Sequence, residues 1–78
     1  MKQILLIDDS ATQLRLRETI LRDSGYVVDI ATGIESALKL LHAYPERFGL
    51  VISDHLLQGV TGVDVVKRIR TFLPNMPV

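Results

Sequence analysis

Two short runs decide what this chain can build. Ile4-Leu5-Leu6-Ile7 and Leu50-Val51-Ile52-Ser53 are apolar and rich in β-branched residues, so each reads as a strand buried on both faces. Strands of that kind belong to a parallel sheet with helices above and below it. Each run also ends in acid: Asp8 and Asp9 close the first, and Asp54 closes the second. Ligands of open parallel sheets bind just outside the carboxyl ends of the strands, so three carboxylates from distant parts of the chain should meet at one rim. Like charges that close raise one another's cost of ionising. A cluster of this composition calls for a cation, and hard oxygen ligands favour Mg²⁺ over a softer metal.

The remaining residues alternate strand and helix. Residues 3–8 form the first predicted strand. Ser10 is the candidate N-cap of a helix running to about Ser24, where Gly25 ends it by tolerating a left-handed backbone. The stripe on this helix is imperfect. Leu14 and Leu21 share one side, Leu16 and Ile20 another, and Arg17 falls between them on the arc that should face the sheet. Its stem is expected to pack while its guanidinium reaches out to water. Val27 to Ala31 is the second strand, at the sheet edge, with Asp29 interrupting the apolar run. Thr32-Gly33 opens a second helix carrying Ile34, Ala37, Leu38 and Leu41 at helical spacing, and Tyr44-Pro45 breaks it. Residues 50–54 form the third strand, and Gly59 and Gly62 punctuate the loop behind it. Val65, Val66, Ile69, Phe72 and Leu73 give the clearest helical stripe, stopped by Pro74-Asn75. Met76-Pro77-Val78 then begins a fourth strand. Parallel strands joined by right-handed helical crossovers make a doubly wound α/β sheet.

Seventy-eight residues make one small domain, marginally stable without help. No cysteine is present, so neither a disulfide nor thiol chemistry is available, which fits a reducing cytoplasm. Nine basic and nine acidic residues balance, which argues against nonspecific nucleic-acid binding. No apolar run approaches the ~20 residues needed to span a bilayer, so no membrane contact is expected. The N-terminus, with one Lys and a short run ended by two acids, does not read as a signal peptide.

The acid pair Asp8-Asp9, the strand-end Asp54 and the loop His55-Leu56-Leu57-Gln58-Gly59-Val60-Thr61-Gly62 resemble the receiver domain of two-component response regulators. The family pattern behind the nucleophile is Asp-x-x-Met-Pro-x-Met-Asp/Asn-Gly. Here Leu57 stands for the first Met, Gln58 for the Pro and Val60 for the second Met, while Gly62 matches. Ala37-Leu38 fits the Ala-Leu habitual in the family's second helix. The resemblance runs from Lys2 to Val78. It implies a flavodoxin-like doubly wound sheet, of which residues 1–78 supply strands 1–3 in the order 2-1-3, helices 1–3 and a stub of strand four. On this reading the chain is the N-terminal portion of a receiver domain. The edge of the third strand then lies open, which invites pairing with a second copy. The isolated chain is therefore expected to be poorly stable or to dimerise through that edge.

The resemblance also implies a function: a phosphoacceptor of a phosphorelay, a signalling module rather than an enzyme. Asp54 would take a phosphoryl group from a sensor histidine kinase or a phosphotransfer protein. Mg²⁺ would be held by Asp54, Asp9, Asp8 (directly or through water) and the backbone carbonyl of Leu56. The family's Ser/Thr at the end of strand four and Lys at the end of strand five are not among these residues, and Lys2, Lys39 and Lys67 sit on elements that should point elsewhere. The alternative is therefore a receiver-like interaction module that folds but does not phosphorylate. A third reading is a Mg²⁺-dependent phosphohydrolase with a second Asp two residues after its nucleophile. It is disfavoured because Leu56 follows Asp54 at that spacing and Ser10 follows Asp8.

Simpler roles stand beside these. Asp8 or Asp9 alone would read as a helix cap. His55 is read as a solvent-facing loop histidine rather than a metal ligand, and His42 is placed on the solvated end of the second helix. Arg15, Arg17 and Arg22 are read as a solvated face interleaved with Glu18 and Asp23. A docking role for that helix is the sharper alternative.

Overall fold

The computed structural model describes residues 2–53, 56–57 and 60–78, with the backbone alone at 56, 57 and 60. Its centre is a parallel three-stranded sheet in the order β2-β1-β3, built from β1 (Gln3–Ile7), β2 (Val28–Ala31) and β3 (Phe48–Ser53). Successive side chains of β1 alternate between two cores. Leu5 and Ile7 enter one with Ala31, Ala37, Leu41, Phe48, Val51, Val65 and Ile69. Ile4 and Leu6 enter the other with Leu14 and Val28. This is the two-sided burial that an unbroken apolar run requires. Helix α1 (Ala11–Asp23) covers the second core through Leu14 and Leu21, while α2 (Ile34–Ala43) and α3 (Gly62–Arg70) cover the first.

The caps follow from local chemistry. The Ser10 hydroxyl accepts from the Gln13 amide, and Gly25 leaves α1 at φ 94°, a left-handed conformation that only glycine adopts without strain. Thr61 caps α3: its hydroxyl accepts from the Asp64 amide and donates to the Asp64 carboxylate. Thr61 falls within the stretch the sequence marks as loop. A Thr three residues ahead of an acid, just before the Val65 stripe, is the signal that would have placed the helix start there.

The third strand begins two residues earlier than its apolar run. Gln3 pairs with Phe48 and Ile4 with Leu50, so Gly49 is an extra residue, a bulge between the paired positions. A Cβ on Gly49 would lie 2.8 Å from the Cβ of Lys2. Backbone-proximal atoms cannot swing aside as a side-chain tip can, so Gly49→Ala is expected to destabilise the fold by about 1–3 kcal/mol, the usual cost of overpacking. A chemical denaturation midpoint equal to that of the parent chain would contradict this.

Between β3 and α3 two short strands, β4 (Leu56–Leu57) and β5 (Val60–Thr61), pair antiparallel in the stretch expected to be loop. They are separate from the main sheet. Residues 76–78 form no strand, but the Val51 amide donates to the Pro77 carbonyl at 2.9 Å, so this segment lies against the outer edge of β3. That is the position assigned to the start of a fourth strand.

Candidate metal and phosphoacceptor site

The C-terminal ends of β1 and β3 lie side by side, because Ile7 pairs with Ser53. The residues that follow in sequence are Asp8 and Asp54. Asp8 continues the sheet for one more hydrogen bond, its amide donating to the Ala31 carbonyl at 3.1 Å. Its side chain is 1% exposed, and it is the one buried charged residue among those described. Asp9 is exposed in the turn that leads into α1. That turn places both acids at the N-terminal end of α1, where unpaired amides and the helix dipole favour negative charge.

A buried carboxylate needs partners, because an unpaired charge out of water is costly. Asp8 has two. The Ser10 amide donates to Oδ1 at 2.9 Å, closing a tight turn over the strand end. The Arg17 guanidinium donates from Nη1 to Oδ2 at 3.1 Å. This corrects the expectation that Arg17 reaches only for water. Its side chain lines an apolar groove together with Leu6, Ile20, Leu21 and Ile52, but its charged head turns back onto Asp8. The sequence supplies both partners, a cation on the sheet-facing arc and acids closing the strand just before the helix, but the burial of Asp8 that selects this pairing over a solvated head is seen only in the fold.

The other arginines of α1 divide. Arg22 pairs with Glu18 one turn back at 3.1 Å and donates to the Val28 carbonyl at 2.6 Å, so it ties the helix to β2 rather than simply facing solvent. Arg15 is exposed. His42 is exposed as expected, yet its ring stacks on Phe72 with centroids 3.8 Å apart, linking α2 to the segment after α3.

Of the four sequence-derived site positions, Asp8 and Asp9 stand together at the end of β1. Leu56 lies in the backbone of β4, three residues beyond the end of β3. Asp54 falls outside the described residues, as does His55. Among the described residues no group of three His, Cys, Asp or Glu side chains is placed to hold a metal. The acids that are described still fit a hard divalent cation. The donors are carboxylate oxygens, and Asp8 is anchored from both sides while each of its oxygens keeps lone pairs to spare. Among the described residues, no helix is long and apolar enough to cross a membrane.

A family model for the response regulator receiver domain matches residues 4–78. The chain is 33% identical over 76 residues to the transcriptional regulatory protein ZraR of Klebsiella oxytoca, covering 96% of this chain and 16% of that protein. It is 32% identical over 79 residues to the chemotaxis protein CheY of Pseudomonas aeruginosa, covering 97% of this chain and 62% of that one. Among solved structures it resembles a response regulator receiver domain protein from Clostridium thermocellum, with TM-score 0.90 at 26% identity over 97% of this chain and 60% of that chain. It also resembles the chemotaxis protein CheY4 of Vibrio cholerae, with TM-score 0.86 at 30% identity over 99% of this chain and 64% of that chain. The chain thus spans less than two thirds of the length of each of these relatives.

Proposed function

Since the chain belongs to the response regulator receiver domain family, a signalling module of two-component systems, we propose that it accepts a phosphoryl group on Asp54 in a Mg²⁺-dependent reaction. The observation that carries this reading is the register of β1 against β3. Ile7 and Ser53 are paired, so the buried Asp8 and the chain entering Asp54 leave the sheet from adjacent positions. The exposed Asp9 beside them supports the same reading. Residues 1–78 then represent the N-terminal portion of a receiver domain, holding its acidic rim.

The donor is a phosphohistidine of a sensor kinase or a phosphotransfer protein. A carboxylate oxygen of Asp54 attacks the phosphorus. The new O–P bond forms as the donor's P–N bond breaks, and the electron pair returns to the imidazole nitrogen, which takes up a proton. Phosphoryl transfer asks the protein chiefly for positioning and charge neutralisation. Asp8, Asp9, Asp54 and the Leu56 carbonyl would hold Mg²⁺, which when bound supplies that neutralising charge. The Ser10 amide fixes the orientation of Asp8. The same reading places the reaction in the cytoplasm. Pairing with a second copy would use the part of the outer β3 edge that Pro77 leaves uncovered, and would be visible as a dimer in sedimentation.

The test uses acetyl phosphate as a small phosphodonor, read by intact mass. A single phosphoryl adduct is expected only with Mg²⁺ and is expected to be removed by hydroxylamine, which cleaves acyl phosphates. A folded chain that forms no adduct, or an adduct stable to hydroxylamine, would count against the proposal.

A further inference from the structure

We infer that Arg17 is a built-in counter-ion to Asp8 that divalent metal must displace, and that it thereby weakens Mg²⁺ binding at the acidic rim. The inference rests on the reading of Asp8 as a metal ligand. Three observations carry it. The Asp8 carboxylate is almost wholly buried, so in metal-free protein its charge requires a partner. Arg17 supplies one, at 3.1 Å from Oδ2. The Arg17 side chain itself is 41% exposed, so its head can leave toward water without becoming a buried unpaired charge. The Arg17 side chain lines an apolar groove with Leu6, Ile20, Leu21 and Ile52 beside the acid, so the guanidinium stays within reach when the metal departs.

The contact is an exchange of cations on one carboxylate. Ser10 holds Oδ1 by a neutral amide, which does not oppose a metal, whereas the guanidinium carries a full positive charge to within hydrogen-bond range of Oδ2. A divalent ion ligated by Asp8 would sit a few ångströms from that charge and be repelled by it. Binding therefore requires Arg17 to swing outward, and by linkage whatever draws Arg17 outward favours the metal. The consequence is a rim that is stable without metal and that binds Mg²⁺ less tightly than its carboxylates alone would.

Calorimetric titration of the 78-residue chain with MgCl₂ tests this, comparing the parent with Arg17→Met, Arg17→Lys and Asp8→Asn. Met keeps the apolar stem and removes the charge. Arg17→Met is expected to bind Mg²⁺ about tenfold or more tightly, since a charge repulsion of this range is worth at least about one decade in Kd. Arg17→Lys, which keeps the charge, is expected to stay near the parent. In the parent, the Arg17 Nε–H resonance is expected to move on Mg²⁺ addition. A role in packing or folding alone would lower the metal-free melting temperature of Arg17→Met without changing its Kd. Equal or weaker Mg²⁺ binding by Arg17→Met, with binding lost in Asp8→Asn, would overturn the counter-ion role and leave the metal site standing. No Mg²⁺ binding by the folded parent or by Arg17→Met would overturn both. If Arg17→Met does not fold, Arg17→Gln is read by the same criteria.

Discussion

Leu5→Ala is expected to lower the melting temperature of this chain by roughly 8–40 °C, following from a core truncation cost of about 2–5 kcal/mol and about 4–8 °C per kcal/mol in a domain of this size. Leu5 sits in the middle of the central strand, fully buried, among Val51 of β3, Ala37 and Leu41 of α2, and Val65 and Ile69 of α3. It is the point where three elements meet, so the cavity left by truncation has no single neighbour that can close it. A domain of 78 residues has a total stability of about 4–12 kcal/mol to draw on, which makes the loss a large fraction of the whole. Leu16 is the control. It is 55% exposed on α1, and Leu16→Ala is expected to stay within ~0.5 kcal/mol of the parent. Thermal melts followed by far-UV circular dichroism distinguish the two. A Leu5→Ala transition within a few degrees of the parent would mean that the first core does not hold the sheet together.

Asp54→Asn is expected to abolish acyl phosphate formation while leaving the fold intact. The amide is nearly isosteric with the carboxylate but has no anionic oxygen to attack phosphorus. On the proposed reading, removing one of three like charges from the rim also relieves mutual repulsion, so the melting temperature is expected to stay level or rise. That combination separates loss of chemistry from loss of structure. Asp64, exposed in the first turn of α3, where its carboxylate bonds the Thr61 hydroxyl, provides the contrast. Asp64→Asn is expected to keep the phosphoryl adduct. The check is intact mass after acetyl phosphate and Mg²⁺. An adduct on Asp54→Asn equal to that on the parent would move the acceptor elsewhere.

The sheet and its helices were legible because their signals are local and redundant. Ile4 to Ile7 has no polar residue to mark an outward face, so burial on both sides followed directly, and the two cores bear it out. Ser10 and Gly25 bracket α1 with a cap and a left-handed exit. The β3 start was missed because Gly49 interrupts the apolar pattern. Its role is steric, a close approach to Lys2 across a bulge, and appears only once two distant segments are paired. The β4–β5 pair was not legible because two-residue strands carry too little pattern to read. At the site, the Asp8–Asp9 turn was legible from strand-end placement. The Arg17 contact was not, although its sheet-facing position was. Snorkelling to water and pairing with a buried acid share the same helical arc, and only the burial of Asp8 decides between them.

Beryllofluoride binding to the 78-residue chain, followed by fluorine NMR with and without Mg²⁺, tests the central claim most directly. This ion mimics an aspartyl phosphate and needs both the acceptor carboxylate and the metal-holding acids. The account predicts a bound fluorine signal that appears only with Mg²⁺ and is lost in Asp54→Asn and in Asp9→Asn. A chain shown to be folded by circular dichroism that gives no bound signal at any Mg²⁺ concentration would contradict it.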